Sequence, residues 1–470
     1  MKSISSLIHR SLFLREVEMA DDFVNSTNLL DWLYRDPESA EIFSFNSTFR
    51  KWVKVEIALS HAHFSKGIIT QENLNEINKL SEVPMPENSS FRTGALNVGY
   101  PIMGLLSHLN SHLPTGAQGL LHLGATTQDI MDTALTLQVS EAGRLLLSHL
   151  NRLGNALAAL ALEHQQTIMP GRTHAQHAVP TTFGLKCAVY LSEIDRHRSR
   201  LINSLSEASC ISLYGASGTS AAMGVDAREI RSIVASKLGL RDELIPWHAS
   251  RDRFIDVTSQ CANLSVTLVR LAREIVDLSR TEIDEVFEPG GHHKGASSTM
   301  PQKRNPVMSE AIIGIGLQAI GSANSMYRAG EIGHERAAGE WQLEWKALPE
   351  TLMSTISALI IACETLEGLG VNQETMRANI EKQNGSIMAE AYMIELSRKT
   401  GREQAHDLLH QASKLSMKED ISLAESIVRT DPSIAQHYSK WPLDPADYIG
   451  NAQEVCKYVV GQWKASSPKR

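Results

Sequence analysis

Between Phe254 and Leu278 the apolar residues Phe254, Val257, Cys261, Leu264, Leu268, Leu271, Ile275 and Leu278 follow one another at alternating steps of three and four. A stripe of period 3.5 held over seven steps belongs to a long α-helix packed lengthwise against others, because a strand needs period two. Carried on to Glu288-Pro289-Gly290-Gly291, the segment predicts a helix of about 35 residues, on the order of 50 Å. Leu146, Leu150, Leu153, Leu157 and Leu160 repeat the pattern. Further helices are expected from Lys186 to about Ala208 and from Pro349 to Gly368, the latter with Leu352, Ile356, Leu359, Cys363 and Leu366 on one face. Asn305-Pro306 reads as an N-cap followed by proline at the first helical position, opening a helix towards Tyr327. Helices of this length must bury their stripes on one another or on partner subunits. The expected fold is therefore all-α, a long-helix bundle.

Composition agrees: 470 residues hold only 30 Gly and 16 Pro, with 6% aromatic residues, and no strand-turn-strand pattern, internal repeat or low-complexity run stands out. The expected organisation is a leader or N-terminal arm over 1–28, helical domains over 29–125 and 371–470, and the central bundle over 126–370. Lys and Arg number 45 against 53 Asp and Glu, a net charge of −8, which argues against a nucleic-acid binder needing a basic stripe. No run approaches the roughly 18 uncharged apolar residues of a membrane span, so no membrane partner is expected. Five scattered cysteines without CxxC spacing read as buried thiols in a reducing compartment. The first 22 residues mix Arg10 and Arg15 with Glu16, Glu18, Asp21 and Asp22, a poor targeting signal, and a cytoplasmic location is the expectation. His108 and His112 stand at helical i,i+4 spacing but lack a third ligand, and His292-His293 is no better, so neither metal nor cofactor is expected.

Four loops break the helical background: 122–129, 171–177, 215–220 and 290–306. The last, GGHHKGASSTMPQKRNP, sets Lys294, Lys303 and Arg304 on an acidic chain and runs into a helix N-terminus. Backbone donors, cations and a dipole end together suit a small polycarboxylate; a plain flexible loop is the rival reading. A phosphate-binding P-loop is excluded by the absence of GxxxxGK[ST].

Residues 296–306, Ala-Ser-Ser-Thr-Met-Pro-Gln-Lys-Arg-Asn-Pro, resemble the signature loop of the fumarase/aspartase superfamily, and Gly171-Arg-Thr-His-Ala-Gln and Ala125-Thr-Thr-Gln-Asp-Ile-Met-Asp-Thr133 resemble its other two motifs in the right order. The resemblance spans about residues 29 to 465. It implies a homotetramer with a twenty-helix core, in which each active site draws its motifs from three subunits. It implies addition or elimination across a carbon–carbon bond beside a carboxylate, with a di- or tricarboxylate substrate. Ser297 is then the general base, and Lys303 and Asn305 stabilise the aci-carboxylate formed when the proton leaves carbon. His174 is the candidate acid or substrate-orienting group, since imidazole titrates near working pH; a satisfied histidine at a helix start is its alternative. Thr126, Thr127 and Gln128 are candidates to hold a substrate carboxylate, or else cap a helix. Arg336 is a candidate carboxylate clamp, or else an ion-pair partner of Glu335 or Glu340.

Within the superfamily, Asp36–Phe43, Phe183–Lys186 and His334–Pro349 most resemble the 3-carboxy-cis,cis-muconate cycloisomerases. Two residues depart from that branch. His174 stands where those enzymes usually have Trp or another apolar residue and where fumarate-forming C–N lyases have His, and Gln302 replaces a usual His as in argininosuccinate lyases. Elimination of fumarate from an N- or nitro-substituted succinate is therefore the alternative activity. A silent, crystallin-like structural role is opposed by the joint presence of Ser297, His174, Lys303 and Asn305.

Overall fold

The computed structural model describes residues 28–290, 300, 303–336, 339–436 and 441–466. Five helices of 23 to 37 residues carry it: α1 (Thr127–Glu163), α2 (Phe183–Ala208), α3 (Asp252–Leu278), α4 (Val307–Ala329) and α5 (Glu340–Glu367). All eight stripe residues of α3 are at most 6% exposed, and the five leucines of the α1 stripe are buried. The period read from the sequence is thus the buried face. Among the described residues, strands are confined to a hairpin, β1 (Ile168–Thr173) with β2 (Gln176–Thr182), and to the two-residue pair Val286–Phe287 with Gly370–Val371. The fold is all-α.

Three helix ends differ from expectation. α3 stops at Leu278, where the apolar stripe stops, rather than at Glu288. The Glu285 N–H returns to the Leu278 carbonyl (2.9 Å) and Asp284 takes a φ of 49°, turning the chain into the short pair. α5 begins at Glu340 and holds Pro349 in its interior. An interior proline forfeits a backbone bond at a cost of about 3 kcal/mol, offset here by the burial of Trp341, Leu348, Leu352, Ile356 and Leu359. At α4 the expected Asn305 cap is absent: the Pro306 carbonyl accepts from the Glu310 N–H (3.0 Å), while Glu288 accepts from the Met308 N–H (3.0 Å) and Ser309 N–H (2.7 Å). A carboxylate is a stronger partner than a carboxamide for the positive end of a helix, which is why Glu288 takes the position.

The hairpin was not expected because its strands carry Pro170 opposite Pro180 and its turn lacks the usual Asn-Gly. Gly171 is what lets it close: a Cβ there would lie 2.7 Å from the Val179 carbonyl oxygen.

The chain divides into two compact units. The first comprises the residues up to His149 with His197–Leu268 and Gly314–Ile360; the second comprises Leu150–Arg196, Val269–Ile313 and the chain from Ile361 onward. The first has a core around Phe49, Trp52, Leu59, Leu105, Ile130 and Ile230. The second packs Ile168 of β1 with Ile380, Tyr392, Leu396, Leu409 and Ile427. α1 and α5 are long and apolar enough to cross a membrane by length and composition, yet 78% of the most apolar window of α5 is buried within the protein.

Candidate active site

In the first unit the start of α1 forms a polar corner. Thr126 precedes the helix, and its N–H donates to the Asp129 carboxylate (2.9 Å), one half of a capping box. Arg336, 210 residues later, donates from Nη1 to the Thr126 hydroxyl (3.2 Å) and from Nη2 to the Ala216 carbonyl (2.8 Å). Neither Glu335 nor Glu340 pairs with it among the described residues. Thr126, Thr127 and Arg336 are each half-buried, a hydroxyl pair beside a guanidinium. Gln128 is turned inward: it is fully buried and donates to Asp132 (3.0 Å) and to the His248 carbonyl (2.9 Å).

Beneath the corner lies a network the motif reading missed. Asp129, wholly buried, accepts from Thr126, from the Tyr214 N–H (2.9 Å), from the Gly215 N–H (2.8 Å) and from His248 Nε2 (2.7 Å). It therefore fastens the 122–129 and 215–220 loops to one another. A helical turn on, Asp132 accepts from both Arg251 Nη atoms (2.7 and 3.2 Å), and Arg251 also grips Glu344 through Nε (2.9 Å). Two carboxylates share one guanidinium away from water. Burial pushes the Glu344 carboxyl up against the pull of Arg251, and Asp132 adds to the rise; Arg251 is itself raised, its burial outweighed by the two carboxylates. Beside them the His122 ring nitrogen Nδ1 lies 2.7 Å from Glu56, which is fully buried. Burial opposes the charged imidazole, but the hydrogen bond and charge of Glu56, with Asp129 beyond, raise its pKa above the ordinary 6.5. The only sequence signal for this network was Asp129 and Asp132 three apart inside the quoted motif; their partners Tyr214, Gly215, His248 and Arg251 lie 85 to 119 residues away.

The second unit holds the other candidates. His174 is not at a helix start but at the tip of the β1–β2 hairpin. With Ala175 it forms a two-residue turn, both at positive φ (50° and 61°), where glycine or asparagine is usual. Non-glycine residues held so carry strain on the order of 1 kcal/mol each. The imidazole is exposed and meets no hydrogen-bond partner among the described residues. The hairpin is held at Arg172, whose two Nη atoms bind the buried Glu285 carboxylate (2.9 and 2.6 Å), to which Asn379 also donates (2.8 Å). Lys303 is exposed and Asn305 half-buried just before α4. Because Glu288 occupies the first amides of α4, that helix end does not supply the free donors expected for an anion; Lys303 and Asn305 remain. Arg304 lies over the Phe287 ring at 6.0 Å. Ser297 and most of its loop, including His292, His293 and Lys294, lie outside the described residues. His108 and His112 bond to the carbonyls of Pro84 (2.8 Å) and His108 (2.9 Å), so their imidazoles are engaged as helix and loop ties.

A hydroxyl–guanidinium corner and an exposed imidazole tip are groups suited to holding a carboxylate and to moving a proton. A family profile described as lyase matches residues 34–321. The chain belongs to this lyase family of the fumarase/aspartase superfamily and is an enzyme of the lyase or cycloisomerase kind. It is 34% identical over 448 residues to the 3-carboxy-cis,cis-muconate cycloisomerase of Pseudomonas aeruginosa, covering 94% of this chain and 98% of that one. To the N-acetyl-S-(2-succino)cysteine lyase of Dickeya dadantii it is 33% identical over 451 residues, covering 93% and 98%. Among solved structures, a fumarate lyase from Mesorhizobium sp. BNC1 superposes with a TM-score of 0.84 at 36% identity, over 91% of this chain and 98% of the other.

Proposed function

We propose that the enzyme removes a proton from the carbon beside a substrate carboxylate and expels a substituent from the next carbon, releasing fumarate from a substituted succinate. The observation that carries this reading is His174, an exposed imidazole on a strained turn with no hydrogen-bond partner among the described residues; by the resemblance, that position is usually apolar in the cycloisomerases and histidine in fumarate-forming lyases. Thr126, Thr127 and Arg336 hold one carboxylate, the guanidinium gripping both oxygens. Ser297 takes the proton. Lys303 and Asn305 stabilise the aci-carboxylate, where positioned cations and donors act more strongly as charge develops. His174 donates a proton to the leaving heteroatom or fixes its orientation. The substituted-succinate class draws support from the Dickeya relative, whose name places a succinyl group on sulfur.

The second reading, cyclisation of 3-carboxy-cis,cis-muconate, draws on the Pseudomonas relative and uses the same corner for the same carbanion chemistry. The working unit is proposed to be a cytoplasmic homotetramer without a cofactor. Val189 and Ile202 of α2, Val266 of α3 and Leu317 of α4 leave apolar surface on the long helices (44 to 56% exposed), as helices packed against a second copy would. In it, copies lend complementary motifs to each site.

The test is ultraviolet absorbance with a panel of N- and S-succinyl adducts and with 3-carboxymuconate. Fumarate appearing from an adduct supports the first reading; muconate consumed without fumarate release establishes the second and overturns the first. Ser297→Ala should lower turnover by orders of magnitude with the oligomer intact by light scattering, and retained activity would remove Ser297 as the base.

A further inference from the structure

In the first unit a cavity of about 210 Å³ opens between α1, α5 and the helix Phe45–Ser65. Trp52, Trp341 and Trp345 wall it together with Phe43, and Trp341 and Trp345 meet edge to face at 5.0 Å. Protein interiors contain few voids larger than a water molecule, and a dry apolar cavity of about 150 Å³ is enough to take up benzene. This one has room for one substituted ring.

Its polar wall restricts the occupant. Asp132 is the one charged residue on the lining, and it is already bound by Arg251, by Gln128 and by Trp341 Nε1 (3.2 Å). Gln138, only 3% exposed, directs its amide nitrogen at the Ile42 carbonyl (2.8 Å) and the Thr48 hydroxyl (2.9 Å). That leaves the Gln138 carboxamide oxygen as an acceptor, and the Thr48 hydroxyl, already accepting, keeps its own hydrogen to give. No cation lines the cavity, and Asp132 shares its one guanidinium with Glu344, so the wall offers an anion no counter-charge. A group that both donates and accepts, on an uncharged ring, satisfies both atoms.

We propose that this cavity is a binding site for an uncharged phenol of one ring, separate from the carboxylate corner and independent of the reaction assigned there. The ring stacks among the indoles; its hydroxyl donates to Gln138 Oε1 and accepts from Thr48.

Fluorine NMR of 4-fluorophenol with the full-length protein tests it. Saturable broadening of the wild-type signal is expected, displaced by phenol and not by equal concentrations of benzoate. Leu135→Trp, on the cavity lining, fills the space and should weaken binding at least tenfold. Gln138→Leu should weaken 4-fluorophenol about tenfold while sparing fluorobenzene. The wild-type competition needs no variant to fold. Absence of saturable broadening, displacement by benzoate, or unchanged affinity in a folded Leu135→Trp protein would each overturn the proposal.

Discussion

The Thr126–Arg336 corner and the His174 hairpin are built on opposite principles. The buried charges beneath the corner are all committed. Asp129 has four donors, Arg251 two carboxylates, and Arg336 is already bonded to Thr126 and to the Ala216 carbonyl. The hairpin packs its base into the core through Ile168 and is tied near its tip by Arg172 to Glu285. It nevertheless presents His174 on two strained residues, with no hydrogen bond to the imidazole among the described residues. A rigid, satisfied corner suits binding a charge that does not change during reaction. A free imidazole on an exposed turn suits a group that must gain and lose a proton.

The largest effect that would break this contrast is at Arg251. Arg251→Ala leaves Asp132 and Glu344 buried without their cation, and urea unfolding should show a loss of roughly 3–5 kcal/mol. A loss below about 1 kcal/mol would mean the corner is not braced from beneath. Next comes pH. Because Glu56 raises the His122 pKa above 6.5, the pair contributes stability in full below about pH 6.5 and loses it as pH rises through the higher folded value. Melting curves of wild type should therefore fall across that window, and Glu56→Gln should remove this part of the slope. The smallest effect is at the turn: Ala175→Gly relieves one positive-φ residue and should stabilise the protein by up to about 1 kcal/mol, with turnover retained if His174 keeps its orientation.

How much of this was legible depended on how far apart the partners lie. The α3 stripe was readable because burial at steps of three and four is local, and Leu278 ended it where the periodicity ended. Glu288 looked like the helix stop; instead its carboxylate caps α4 twenty residues later, which no local pattern reveals. The hairpin hid behind two prolines and a His-Ala turn, chemistry that propensity assigns elsewhere. Thr126 and Arg336 were each singled out by type and motif, but their contact across 210 residues belongs to the fold alone. Asp129, His248, Arg251 and Glu344 were passed over because single carboxylates and cations acquire a role only when tertiary packing brings them together.

Steady-state kinetics of Arg336→Ala and His174→Gln on an adduct that yields fumarate test most directly the proposed division of labour between corner and hairpin. The division predicts that Arg336→Ala raises KM at least about tenfold through loss of a charged, bidentate contact. His174→Gln should instead lower kcat by about 10²–10⁴-fold with KM within about twofold. If His174→Gln changed KM alone, or Arg336→Ala left KM unchanged, the assignment of binding to the corner and proton chemistry to the hairpin would be contradicted.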